Sequence, residues 1–110
     1  MKTVTKADWV AALRSGEYEQ GFNTLKTPDG KFCCLGVLAE LYKVPSVHVG
    51  DEHLYLFSRI DSRFDDYVGG VPSKLMDNTG VNSIHGQTLA KMNDSGKSFC
   101  EIADYIEKLP

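Results

Sequence analysis

The chain lacks any apolar run long enough for a signal peptide or a membrane span, and its N-terminus passes at once into helical patterning. It has few cysteines: Cys33, Cys34 and Cys100, an odd number with two adjacent. That excludes a disulfide framework and points to reduced thiols in a cytoplasm. It also lacks a basic stripe. The formal charge is −3, and acidic residues slightly outnumber basic ones in both halves, so a long polyanion such as DNA is not an expected partner. No G-x-S-x-G, H-E-x-x-H, P-loop or G-x-G-x-x-G occurs, which removes the common hydrolase, metalloprotease and nucleotide-fold signatures. His48 and His53 are five apart, but nothing in the spacing joins them to the cysteines as a metal set. No metal, cofactor or membrane partner is expected.

What is present is the balance of a globular protein, with 42% apolar and 25% charged residues over 110 positions. That length holds one domain, which buries roughly two-thirds of its unfolded surface. The margin is thin enough for self-association as a homo-oligomer to help. Thr5 with Asp8 reads as a capping box, and Val4 with Trp9 as a hydrophobic staple, for a helix over 6–15 that stops at Gly16. From Cys34 apolar residues recur at helical spacing to Tyr42, ahead of Val44-Pro45, and this should be the most buried element. Gly36 inside it is the kind of glycine that lets another backbone come close.

Three further helices are expected: Pro72 to Thr79 with Val81 against Met76, His85 to Asn93, and one capped by Ser98 with Glu101 three residues later. Thr27-Pro28-Asp29-Gly30 predicts a turn joining strands over 18–26 and 31–33. A second hairpin would pair 53–58 with 65–70. The fold class is therefore α+β: a small single domain of about five short helices with one or two β-hairpins.

Cys33-Cys34 invites two readings. A thiol near a helix N-terminus can be activated for a cysteine-dependent hydrolase or transferase, with a histidine such as His48, His53 or His85 as base. The plainer reading is two small apolar residues entering a core helix. The last helix resembles the first half of a helix-turn-helix, but Glu101, Asp104 and Glu107 face outward and would repel phosphates. A small anion is a better fit than DNA. Arg14, Tyr18 and Gln20 follow one another across the sharp turn at Gly16, and Lys31 lies across the turn. Together they offer a planar fork for phosphate, a stacking ring and an amide for a base edge. Arg59 and Arg63, beside Tyr55, Phe57 and Tyr67, form the alternative grouping.

Three segments carry a resemblance: Trp9-x-x-Ala12-Leu13-Arg14-Ser15-Gly16-x-Tyr18-x-Gln20, the run Phe32 to Leu38, and the stretch from Leu89 to Glu107. The chain resembles short proteins of unknown function encoded by bacteriophages and prophages. The resemblance implies a phage protein made inside a bacterial cell. It brings no assigned activity, but small phage proteins often act on host systems, so by analogy a non-enzymatic counter-defence role is expected, either sequestering a small nucleotide-like signal or binding a host protein. A structural or packaging accessory is the remaining alternative.

Overall fold

The computed structural model describes residues 4–22, 24–49, 52–57, 67–68 and 71–109. Among them five helices supply most of the regular secondary structure: α1 (Lys6–Arg14), α2 (Cys34–Leu41), α3 (Ser73–Asp77), α4 (Ser83–Asp94) and α5 (Phe99–Lys108). Two antiparallel pairs complete the α+β fold: β1 (Ser46–Val49) with β2 (Glu52–Tyr55), and β3 (Tyr67–Val68) with β4 (Val71–Pro72). No described helix is long and apolar enough to cross a membrane.

The helix starts are written locally, and the structure uses them. Thr5 Oγ1 accepts from the Asp8 amide and Asp8 Oδ2 accepts from the Thr5 amide, both at 3.1 Å, a complete capping box. Trp9, Val10, Ala12 and Leu13 of α1 are buried, as are Phe99, Ile102, Ala103 and Ile106 of α5. These two faces pack along each other. Fully burying one large aliphatic side chain is worth about 1.5–3 kcal/mol, so the apolar seam holds the pair. Polar clasps reach α5 from the two ends of α1: Lys6 Nζ donates to the Leu109 carbonyl, and Arg14 donates to Asp104 and Glu107, each at 2.5 Å. The Arg14 pairs are exposed and add little beside the seam, while the Lys6 contact is part-buried.

α2 lies at the centre. Its residues Cys34 to Ala39 are all buried, and Trp9 Nε1 donates to the Cys34 carbonyl at 3.0 Å. Gly36 is where the chain crosses itself, since a Cβ there would stand 1.9 Å from the Leu25 carbonyl oxygen. The helix stops ahead of Val44-Pro45, as expected. Lys43 takes a left-handed φ of 57° and donates to the Glu40 carbonyl, while the Val44 amide reaches back to Ala39, a Schellman ending with lysine in the position glycine prefers.

Two expectations about strands are corrected. Residues 18–26 and 31–33 do not form a regular hairpin. Phe32 makes single bridges, one parallel to Gln20 and one antiparallel to Lys26, so three segments share one residue as their meeting point. The turn itself forms as read. The Gly30 amide donates to the Thr27 carbonyl, Gly30 takes φ +86°, and the Thr27 amide donates to the Lys31 carbonyl. Further on, the strand expected at 53–58 is described over Glu52–Tyr55, where it pairs with the preceding Ser46–Val49. The pairing is short-range, and Val47 and Val49 are β-branched residues suited to it. Of the expected return strand, Tyr67 and Val68 pair with Pro72 and Val71, and residues 65, 66, 69 and 70 lie outside the described residues.

Later helices differ at their edges. α3 ends at Asp77, Gly80 (φ 82°) closes it as expected by donating to the Asp77 carbonyl at 2.9 Å, and the Val81 amide donates to Thr79 Oγ1 (3.3 Å). α4 starts two residues earlier than expected because Asn82 caps it, its Oδ1 accepting from the His85 amide at 3.0 Å.

Candidate functional site

Phe32, the meeting point of three segments, also organises the surface beside it. The Tyr18 ring meets its edge at 5.5 Å and 83°, and Lys26 Nζ lies 5.5 Å from its centroid. Lys26 in turn faces Glu40 Oε1 at 3.6 Å, from the last turn of α2. The same oxygen accepts from the Tyr55 hydroxyl at 2.7 Å, and the Tyr55 ring tilts against buried Phe57 at 5.9 Å. Four aromatic rings, one carboxylate and one ammonium thus converge from the 18–32 loops, α2 and β2.

The electrostatics follow from this packing. Burial pushes the Tyr55 phenol well above its ordinary value, and the Glu40 carboxylate it hydrogen-bonds adds to the effect. The Tyr18 phenol is also raised, by burial first and then by the charges of Glu40 and Glu17. Both hydroxyls stay protonated at neutral pH, and that of Tyr55 donates to Glu40. Glu40 is 29% exposed in its side chain and Lys26 20%, so solvent reaches the pair. Such a cluster can stack a planar ring and read its edge with hydrogen bonds.

The four residues first suggested as one anion site are turned to different partners. Arg14 is held by Asp104 and Glu107 on α5, and those carboxylates raise its basicity. Gln20 Nε2 donates to Asn93 Oδ1 (2.9 Å) and to the Lys97 carbonyl (2.6 Å). Lys31 Nζ lies 3.8 Å from Asp29. Tyr18 alone of the four enters the cluster, where it joins Tyr55 and Phe57 of the alternative grouping. Arg59 and Arg63 lie outside the described residues. Lys26 and Glu40 were not singled out by sequence reasoning, since a lysine before a turn and a glutamate on a helix are ordinary surface residues.

The cysteines are structural in their contacts. Cys33 Sγ caps α2 by accepting from the Gly36 amide at 3.3 Å, and Cys34 Sγ donates to the Leu89 carbonyl at 3.5 Å. Burial pushes the Cys33 thiol up and the Cys34 thiol further. His85 stands with Nδ1 3.4 Å from the Tyr105 hydroxyl, and His48 and His53 are register partners across β1 and β2. No group of three metal-ligating side chains forms among the described residues. A separate groove of about 370 Å³ runs between α1 and α5, floored by Ala7, Val10 and Ala11, with Lys6, Arg14 and Glu107 at its rim.

Residues 1–55 match the model of a family described as a domain of unknown function, DUF8296. The chain belongs to that family. The matched half contains every polar member of the cluster, Tyr18, Lys26, Glu40 and Tyr55, and its central ring, Phe32. No curated protein and no solved structure matches the chain.

Proposed function

We propose that this DUF8296 protein is a non-enzymatic binding protein, encoded by a phage, that sequesters a small nucleotide-like ligand in the cytoplasm of its bacterial host as a counter-defence. The observation that carries the reading is the convergence of Tyr18, Phe32 and Tyr55 on the Glu40–Lys26 pair. Aromatic faces give stacking energy of about 1–3 kcal/mol per base, and neighbouring polar groups fix the edge. Lys31, adjoining Phe32 with a side chain 44% exposed, supplies a cation for the anionic end. Against a cysteine-dependent hydrolase stands the state of the thiols, since a nucleophile needs thiolate and access, and Cys33 and Cys34 are buried with raised pKa values.

Native mass spectrometry of protein purified from expressing bacteria tests the reading by showing subunit number and retained ligand together. Calorimetry then compares wild type with Tyr18→Ala and Lys31→Ala. Loss of a charged hydrogen-bonding partner predicts a ten- to hundredfold weaker association. No retained ligand and no binding of any mononucleotide would sink the proposal.

One observation favours a host protein as the partner instead. Val47 and Leu54 are cross-strand neighbours on β1 and β2, and they are 40% and 45% exposed. Paired exposed aliphatics of this kind suit a protein contact. A stoichiometric host protein that co-purifies with wild type and is lost on Val47→Asp with Leu54→Asp, the nucleotide titrations being blank, would support this second reading.

A further inference from the structure

We infer that His48 and His53 form a two-histidine site for a divalent transition-metal ion of the Zn²⁺ type, independent of the aromatic cluster. In the sequence the two stand five apart, a spacing that puts them on opposite faces of one strand and on no shared face of one helix. The hairpin removes that obstacle, because its register sets His48 of β1 directly opposite His53 of β2. A neighbouring hydrogen bond fixes the kind of pair. The Leu56 amide donates to the Pro45 carbonyl at 2.7 Å, which makes residues 45 and 56, one step outside the ladder, a hydrogen-bonded pair. Hydrogen-bonded and non-hydrogen-bonded pairs alternate along an antiparallel ladder. Counting inward, 46 with 55 is non-hydrogen-bonded, 47 with 54 is hydrogen-bonded, and 48 with 53 is non-hydrogen-bonded again. In that class the Cα atoms stand about 4.5 Å apart, the closer of the two spacings.

The face is fixed as well. Val47 and Leu54, exposed by 40% and 45%, share one face of the hairpin, so His48 and His53 belong to the other, with Ser46 and Tyr55. The Tyr55 hydroxyl donates to Glu40, which ties that face to α2. A slip of one residue would turn the tyrosine away, so the same contact holds the register that pairs the histidines. Imidazole is the commonest metal ligand among side chains. On a tetrahedral ion two nitrogens bound at about 2.0–2.1 Å stand about 3.3 Å apart, a span suited to two rings carried on Cβ atoms about 4.5–5.5 Å apart. The pair fills half of that shell and leaves two positions to water, as befits an exchangeable ion rather than a closed structural centre. Imidazole suits Zn²⁺, Cu²⁺ and Ni²⁺, whereas Mg²⁺ wants oxygen ligands and is excluded.

The test is calorimetric titration of the full chain, its thiols kept reduced, with Zn²⁺ and with Mg²⁺. One Zn²⁺ should bind per chain, and Mg²⁺ should not. Removing one imidazole turns a chelate into a single contact, so His48→Ala and His53→Ala should each weaken Zn²⁺ about a hundredfold or more. His85→Ala and Cys100→Ser should leave the affinity unchanged. Val47→His combined with His48→Val keeps the composition and moves the histidine to the opposite face, so it too should lose the ion. Circular dichroism checks the fold of each variant. Where a hairpin variant fails to fold, nuclear magnetic resonance of wild type decides: one equivalent of Zn²⁺ should shift the ring signals of His48 and His53 together and leave those of His85 in place. No binding by wild type, affinity kept in the exchanged variant, or loss in Cys100→Ser or His85→Ala would each overturn the site.

Discussion

The carbonyl oxygen of Leu25 lies 1.9 Å from the place a Cβ on residue 36 would occupy, so Gly36 lets the loop before Phe32 rest directly on the central helix. The obstacle is backbone, which cannot swing aside like the tip of a side chain. In a helix free of such a contact, Gly→Ala would stabilise by about 1 kcal/mol. Here Gly36→Ala should destabilise by about 3 kcal/mol or more, because overpacking outweighs propensity. Urea unfolding followed by circular dichroism measures it, and an unchanged or raised midpoint would show that the loop moves off α2 at little expense.

Asn93 predicts a second stability effect. It is fully buried, and its Oδ1 accepts from Gln20 and from the Cys34 amide at the start of α2, while its Nδ2 donates to the Gly21 carbonyl at 2.9 Å. One side chain therefore satisfies three groups on two segments, the Gln20–Gly21 loop and the start of α2. Asn93→Ala strands them, at about 1–3 kcal/mol for each buried group left unpaired. Gln20→Ala should cost less, about 1 kcal/mol, since Asn93 keeps its other partners. Denaturant midpoints of the two variants check the order; equal effects would mean that Gln20 is the principal anchor.

Thiol chemistry separates the two readings of the cysteines. Cys100 is exposed, whereas Cys33 and Cys34 are buried with thiols held protonated. One equivalent of iodoacetamide should react promptly with the native protein at neutral pH, and Cys100→Ser should remove it. The other two should react only after denaturation. Rapid labelling of Cys33 or Cys34 in the native state would revive a catalytic thiol.

Alkaline titration tests the cluster itself. The Tyr18 and Tyr55 phenols are raised above the ordinary value of 10.0, by burial first and by Glu40 next. Their neutral forms are favoured in the folded chain, so their contribution to stability is complete below about pH 10 and declines as pH rises through the folded-state values. Phenolate absorbance should show a late-titrating component, reduced in Tyr55→Phe, and wild type should lose stability as that component appears. A single titration of all tyrosines near pH 10 with the fold intact would contradict the arrangement.

Much of the fold was legible because its signals are local. Thr5 with Asp8, Ser98 before Glu101, and the apolar periodicity after Cys34 act within one or two helical turns, and the structure realises each. The Thr27–Gly30 turn is of the same kind, written in four residues. Pairing and convergence are not. Residues 52–55 found their partner in Ser46–Val49 because a short loop closes with less entropy loss than a long one. Gln20 is turned to Asn93, 73 residues away, by the need to satisfy buried amides that no local pattern announces. The meeting of Tyr18, Lys26, Phe32, Glu40 and Tyr55 belongs to the same class, decided by which faces α2 and the Phe32 bridges bring together. The sequence by itself determined where helices start and what they bury; tertiary packing alone decided which surface residues became neighbours, because that choice is fixed by the closest-packed arrangement of the whole chain.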